Sequence, residues 1–259
     1  MKRIIVCMTL LICLCFVITG CTSGNAGSET QRNYDFDGFN KIEVSSAFQV
    51  EVIPSDSYSI TITAQKKLFD HITVTKTGDT LGISMKWSFG TWLSSWGFRS
   101  PKARITMPVL TGLEMSGASK GTVKGFKSSE NLELVISGAS SLEVDMEVKD
   151  ADIEVSGASH LTGVLKSGNT KMEVTGASGI ELKGSGDNLD INVSGASRAN
   201  LENFTVHNAD TSISGASHAI ISADSKITVE LSGASSLEYT GNPEISVKDI
   251  SGASTIHKK

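Results

Sequence analysis

The chain has 259 residues, of which 39% are hydrophobic and 20% are charged, and its formal net charge is −5. This composition is typical of a folded protein with a sizeable core and excludes a disordered chain. The acidic balance argues against nucleic acid as a partner, because phosphate binding requires a basic surface.

The first twenty residues have the pattern of a bacterial lipoprotein signal peptide. Lys2 and Arg3 precede an apolar run at residues 4–18, which is short for a membrane span. The small residues before Cys21 resemble a lipobox, which implies cleavage before Cys21 and its acylation, with palmitate among the acyl groups. An ordinary signal peptide with an incidental cysteine is the alternative. We therefore expect a protein anchored to a membrane through lipid on Cys21, with residues 1–20 removed.

Cleavage would leave Cys21 as the one cysteine of the mature chain, so no disulfide, thiol nucleophile or cysteine metal site is expected. It would also leave 21 Lys and Arg against 28 Asp and Glu, a formal charge of −7. Residues 21–33 are polar and rich in Gly and Ser, which predicts a flexible tether. Fully extended, that tether would reach about 40 Å.

Residues 34–110 alternate apolar and polar side chains in several short segments, which predicts β structure that caps or enters a larger array. One segment differs because it is rich in aromatic residues. It contains Trp87, Phe89, Trp92, Trp96 and Phe98. Such aromatics could form a hydrophobic lid, or a binding loop for sugar rings or a membrane interface, and both interpretations stay open.

Residues 111–257 contain eight copies of a tetrapeptide, seven Ser-Gly-Ala-Ser and one Thr-Gly-Ala-Ser, at steps of 18 to 21 residues. We call these tetrapeptides the corners. A fixed period of this length indicates a repeat architecture. The corner glycines are Gly117, Gly138, Gly157, Gly176, Gly195, Gly215, Gly233 and Gly252.

The residues around each corner predict the fold. The residue two before each glycine is apolar in all eight copies, and the residue three before it is polar in seven. This is the alternation of a strand with one buried face. A repeat of about 19 residues is too short for a helical hairpin. We therefore predict an all-β protein, a right-handed parallel β-helix (β-solenoid) with coils of about 19 residues stacked about 4.8 Å apart.

The corners do not predict catalysis. A serine nucleophile needs an adjacent base, and no His or Lys recurs with these serines. His160 and His218 would lie three coils apart, about 14 Å, too far to share a metal ion. A cation bound between stacked carboxylates, Glu154 with Glu173 and Glu230 with Asp249, is a weaker alternative. The sequence predicts no catalytic residue, no cofactor and no metal site.

Four features together resemble a known family. They are FNKIEV at residues 39–44, ITMP at 105–108, the serial corners, and YTGNP at 239–243. Over residues 35–257 the chain resembles the putative auto-transporter adhesin, head GIN domain family of bacterial lipoproteins. The resemblance implies a right-handed parallel β-helix in secreted or outer-membrane-anchored proteins, mainly of Bacteroidetes-type bacteria, and provides no catalytic residues. No acidic run follows Cys21, which leaves both a periplasm-facing and a surface-exposed position open.

The sequence thus predicts a non-enzymatic cell-envelope lipoprotein, held at the outer membrane, whose rod is an adhesive or binding surface. The expected partner is a glycan or another ligand on the envelope or a host surface. A carbohydrate-active β-helix enzyme and a self-associating structural protein are the alternatives, and the oligomeric state is left open.

Overall fold

A computed structural model describes residues 29–86 and 99–259, which contain 21 strands and one short 3-10 helix, Lys66–Asp70. The strands before the first corner are β1 (Glu29–Tyr34), β2 (Lys41–Val44), β3 (Gln49–Pro54), β4 (Ser59–Gln65), β5 (Ile72–Thr77), β6 (Thr80–Met85), β7 (Lys102–Met107) and β8 (Gly112–Met115). The strands after it are β9 (Lys120–Lys127), β10 (Leu132–Ile136), β11 (Ser141–Glu147), β12 (Ala151–Val155), β13 (His160–Lys166), β14 (Asn169–Val174), β15 (Gly179–Ser185), β16 (Asn188–Val193), β17 (Arg198–Ile213), β18 (His218–Leu231), β19 (Ser236–Gly241), β20 (Glu244–Ile250) and β21 (Thr255–Lys258).

Each coil consists of one strand that ends at a corner and one strand that begins just after it. Strands that precede corners pair in parallel with one another, in the order β8, β10, β12, β14, β16, and we call this layer the pre-corner sheet. Strands that follow corners pair likewise in the order β9, β11, β13, β15, and form the post-corner sheet. The long strands β17 and β18 contribute to both sheets, which then end at β20 and β21. The predicted β-solenoid with coils of about 19 residues is therefore confirmed.

The N-terminal strands add two further coils, and these are not stacked in chain order. Strands β2 and β3 pair with β8 and β9, so they form the coil next to the first corner. Strands β6 and β7 come later in the chain but pair with the outer side of β2 and β3. The chain thus forms an inner coil first, moves outward, and returns to continue the stack.

Antiparallel strands close this end of the solenoid, which we call the capped end. Strand β5 pairs with β6, strand β4 pairs with β7, and β1 pairs with β4. The short helix that follows β4 buries Leu68 and Phe69 against the core. At the far end, β20 and β21 are the last strands of the two sheets.

The core fills the axis of the stack because alternate residues of both sheets point inward. The apolar position two before each corner glycine is buried in seven of the eight corner coils: Met115, Ile136, Val155, Val174, Val193, Ile213 and Leu231. The eighth, Ile250, is 38% exposed because its coil is stacked on one side only. The alternation therefore predicted this core position correctly in every corner coil except the last.

The corners have their sequence because each one lies directly against the corner of the next coil. Gly176 has φ +78°, and a Cβ atom added there would lie 2.5 Å from the carbonyl oxygen of Gly157. The N–H of Ala158 donates to the carbonyl of Gly138 at 2.8 Å. The last serine of each corner from Ser119 to Ser235 is buried, and the Ser159 hydroxyl accepts the N–H of Ser140 at 3.2 Å. The repeated serines are thus structural groups that join coil to coil.

The prediction of a flexible tether over residues 21–33 is wrong for residues 29–33, which belong to β1. This strand is polar and lacks apolar alternation, so its sequence resembles a linker. It is held by the backbone ladder to β4, with Gln31 opposite Thr63, and by the Arg32 guanidinium, which lies 4.2 Å from the centre of the Phe69 ring. In the sequence, residues 22–28 separate Cys21 from β1.

Candidate ligand-binding groove

A groove of about 950 Å³ runs along the solenoid on the outer side of the pre-corner sheet. It extends across eight stacked strands, from β2 to the second half of β18, a length of about 34 Å at the usual strand spacing. We call it the polar groove, and its wall at the strand starts is formed by Lys41, Asp150, Asn169, Asn188, Asn208 and Lys226.

Four of these side chains form a continuous hydrogen-bonded row, the amide ladder, of Asp150, Asn169, Asn188 and Asn208. The side-chain amide of Asn169 donates to Asp150 Oδ1 at 3.0 Å, and that of Asn188 donates to Asn169 Oδ1 at 2.9 Å. The amide of Asn208 donates in turn to Asn188 Oδ1 at 3.0 Å. The row exists because these asparagines lie in register on neighbouring strands.

Asp150 fixes the direction of the whole ladder. A carboxylate can only accept hydrogen bonds, so the group that faces it from Asn169 must be the NH₂. Asp150 Oδ1 also accepts the backbone N–H of Asn169 at 2.7 Å, which holds the carboxylate in place. With the first amide oriented, each following amide oxygen faces the NH₂ of the next coil.

The ladder leaves hydrogen-bonding capacity for a ligand. A primary amide has two N–H donors and an oxygen with two lone pairs. Asn169 and Asn188 each use one donor and one lone pair within the ladder. Each therefore retains one donor and one acceptor, and this pair recurs once per coil.

A second outward row lies two residues further along the same strands and is mostly acidic. Glu133, Asp152, Lys171, Asp190 and Asp210 are successive neighbours in it and also line the groove. The amides and carboxylates together make a surface that can both donate to and accept from hydroxyl groups. Asp190 and Asp210 are adjacent, and the Lys248 ammonium lies 3.0 Å from Asp210 Oδ2, which offsets their repulsion.

Sequence reasoning missed this groove although its signal was present. Asn131, Asp150, Asn169, Asn188 and Asn208 all stand seven residues before a corner glycine. Asn or Asp at the same position of five successive repeats has the same period as the corners.

None of the site residues predicted from the sequence is among the described residues. Cys21 and the aromatic residues Trp87, Phe89, Trp92, Trp96 and Phe98 are outside the described residues. In the sequence, segment 87–98 connects β6 to β7, at the point where later coils have a four-residue corner.

The predicted stacking of outward side chains is confirmed. Glu154 lies opposite Glu173, and Glu230 lies opposite Asp249. Over residues 29–86 and 99–259, no group of three His, Cys, Asp or Glu side chains could hold a metal ion.

The histidines add one arrangement that the sequence did not indicate. His160 and His218 lie three strands apart, as predicted. The rings of His218 and His257 instead lie on either side of Glu238, with Nε2 to Oε1 distances of 3.7 and 3.5 Å. Burial lowers the pKa of His218, whereas a hydrogen bond to Asp224 raises the pKa of His207.

The corner series and the two-sheet solenoid agree with a family model. The model described as "Putative auto-transporter adhesin, head GIN domain" matches residues 38–243. The chain belongs to this family. No curated protein matches it. Among the described residues of this chain, no helix has the length and hydropathy needed to cross a bilayer.

Solved structures share the fold at low sequence identity. A "putative lipid binding protein" of Parabacteroides distasonis is 20% identical with a TM-score of 0.82, over 90% of this chain and 97% of the other. A "putative adhesin" of Parabacteroides merdae is 18% identical with a TM-score of 0.81, over the same shares. A "putative adhesin" of Parabacteroides distasonis is 15% identical with a TM-score of 0.80, over 90% and 98%. At these identities the structural similarity establishes only the fold that the chain shares with these proteins.

Proposed function

We propose that this protein is a non-enzymatic, lipid-anchored cell-envelope protein that binds a linear glycan along the polar groove. The observation that carries the proposal is the amide ladder, which repeats an oriented donor and acceptor pair at each coil. A sugar hydroxyl is both a donor and an acceptor, so it complements such a pair. The adjacent carboxylates of Asp152 and Asp190 add acceptors in the same groove.

The shape of the groove favours an extended ligand. It is about 34 Å long at the usual strand spacing and its polar groups recur with the coils. A polymer with a regular repeat can therefore make the same contact many times, so that several weak hydrogen bonds add to a useful affinity. Membership of an adhesin family supports a binding role over a catalytic one.

Glycan binding is tested with two asparagines of one strand. Asn188 belongs to the ladder, whereas Asn192, also exposed on β16, does not line the groove. On a glycan array and then by calorimetry, we expect Asn188→Ala to weaken binding about tenfold, the effect of losing one or two hydrogen bonds. Asn192→Ala should bind like the wild type. Equal binding by all three proteins would contradict the proposal.

A second function, glycan cleavage, is favoured by one observation, the adjacent positions of Asp190 and Asp210 in the groove. Paired carboxylates of this kind are the catalytic groups of many glycoside hydrolases. Incubation of bound glycans with the protein should leave the number of reducing ends unchanged. New reducing ends that disappear in both Asp190→Asn and Asp210→Asn would establish the enzyme instead.

The anchor is proposed from the lipobox that ends at Cys21. We expect the membrane-extracted protein to begin at Cys21 and to carry acyl chains, measured as the intact mass and as incorporated palmitate. Cys21→Ser should abolish both and release the protein from the membrane fraction. Protease treatment of whole cells then distinguishes a surface-exposed from a periplasm-facing position.

A further inference from the structure

We infer that the capped end of the solenoid lies against an anionic lipid surface, and that a basic patch on the post-corner sheet contacts the headgroup phosphates. The basic patch consists of Lys102, Arg104, Lys120 and Lys124. This inference rests on the proposed acylation of Cys21, which would bring the capped end to a membrane. It deepens the proposed function by assigning one face of the protein to the membrane and leaving the polar groove free.

The sheet register brings these cations together. Lys102 on β7 and Lys120 on β9 lie on either side of Gln49 on β3, and Arg104 lies two residues from Lys102 on the same outer face. Lys102, Arg104 and Lys120 line a shallow depression of about 490 Å³. The depression is also lined by Glu51, Thr61, Thr63 and Thr122. Ammonium groups beside hydroxyls are suited to phosphate oxygens.

Two of the four cations are available for such contacts. Arg104 lies 3.2 Å from Glu51, and Lys124 lies 2.9 Å from Glu143, so these two are paired on the protein. No ion pair joins Lys102 or Lys120 to a carboxylate within the described residues. Both side chains are exposed.

The first described strand, β1, lies close to this patch. Gln31 of β1, Thr63 of β4 and Lys102 of β7 form one row across the sheet, so Gln31 lies about 10 Å from Lys102 at the usual strand spacing. Arg99, close to Lys102 in sequence, lies 3.7 Å from Glu29, the first described residue. From Cys21 to Glu29 the chain spans at most about 28 Å. An acylated Cys21 would therefore keep this face near the lipid surface.

The distribution of charge favours the same orientation. Residues 22–111, the part of the sequence between Cys21 and β8, contain nine Lys and Arg against eight Asp and Glu, a net charge of +1. Residues 112–259 contain twelve against twenty, a net charge of −8. An anionic surface repels the acidic coils and not the capped end, so the rod is directed away from the membrane at its far end.

The test uses the acylated protein in vesicles of neutral lipid alone or with anionic phospholipid. The acyl chains occupy Cys21, so a cysteine introduced by Gln31→Cys or Thr255→Cys is a unique site for a fluorophore. We expect a headgroup quencher to reach the label at residue 31 and not the label at residue 255. Anionic lipid should increase quenching at residue 31. Equal quenching at the two positions would overturn the inference.

Charge reversal tests the patch itself. Lys102→Glu with Lys120→Glu should abolish the extra quenching at residue 31 in anionic vesicles. The control is Lys166→Glu with Lys183→Glu, two exposed lysines of the same sheet in more distant coils, which should keep it. Extra quenching that survives in the Lys102 and Lys120 variant would also overturn the inference.

The intact mass of the protein distinguishes failure of the proposed anchor from failure of the basic patch. If the protein carries no acyl chain, the proposed anchor is wrong, and the patch is then tested by sedimentation of the unacylated protein with anionic vesicles. Cosedimentation that is lost on reversal of Lys102 and Lys120 would support the patch. Its absence in the wild type would overturn it.

Discussion

Each residue of the corner has a separate physical cause in the stack. The glycines have φ values between +66° and +79°, a region that L-residues with side chains adopt at a cost. From Gly138 onward, each also lies against the glycine of the preceding corner. The last serine is buried and accepts a backbone N–H from the neighbouring coil. Repetition of the tetrapeptide therefore reflects repetition of one contact.

Gly78 and Gly176 both have a positive φ, so comparing their Ala variants distinguishes the cost of backbone strain from the cost of a steric contact. Gly78 has φ +61° and nothing within 4 Å of an added Cβ, whereas at Gly176 that atom would meet the Gly157 carbonyl. We expect Gly78→Ala to lower the free energy of unfolding by about 1–2 kcal/mol. Gly176→Ala should lower it by about 3 kcal/mol or more, because the backbone must shift. Urea unfolding measures both, and equal losses would contradict the contact.

Comparing Ser159 with Ser156 of the same corner tests whether stability depends on the buried hydrogen bond or on the loss of any serine. Ser159 is fully buried and accepts the N–H of Ser140, whereas Ser156 is partly exposed. Ser159→Ala leaves that N–H without its partner, so we expect a loss of about 1–3 kcal/mol in the free energy of unfolding. Ser156→Ala should change it by less than about 0.5 kcal/mol. A similar loss in both variants would exclude the coil-to-coil bond as its cause.

The pKa values of two histidines should be shifted in opposite directions from the ordinary value of 6.5. The hydrogen bond to Asp224 raises the pKa of His207, so its stabilising effect is present below pH 6.5 and is lost as the pH rises through the raised value. Burial lowers the pKa of His218, so its favourable contribution is present above pH 6.5 and is lost as the pH falls through the lowered value. NMR titration of the ring protons measures both values. Identical midpoints would contradict these environments.

At the scale of the element, the sequence predicted the strands of the corner coils because alternation and corner spacing agree. The alternation of β12, with Ala151, Ile153 and Val155 inward, can be read without a structure. The order of the N-terminal coils could not be predicted, because the insertion of β2 between β6 and β8, and of β3 between β7 and β9, depends on pairing between distant segments. Strand β1 could not be predicted either, since its stability comes from the ladder to β4 and not from its own side chains.

The capped end should unfold as a local unit when its packing is weakened. Phe69 is buried there and carries the Arg32 contact. Phe69→Ala should cost about 3–5 kcal/mol locally. In a repeat array this loss should fall mainly on adjacent elements. Hydrogen exchange should therefore rise in β1, β4 and β5 and stay unchanged in β14 and β16. A uniform increase along the chain would show global coupling instead.

At the scale of the molecule, the solenoid separates two surfaces by position. The polar groove lies on the outer side of the pre-corner sheet, and the basic patch lies on the post-corner sheet near the capped end. The groove was within reach of the sequence, since Asn169, Asn188 and Asn208 share one repeat position. The basic patch was not, because Lys102 and Lys120 come together only through their pairing with β3.

The central claim is that successive coils contribute equivalent contacts to one extended glycan. The most direct measurement is the affinity, by calorimetry, for oligosaccharides of increasing length prepared from the polymer that binds best. We expect the affinity to rise with each added sugar until the ligand spans about 34 Å, the length of the groove, and then to become constant. The slope of this rise should fall in Asn188→Ala. An affinity that is independent of ligand length would contradict the account.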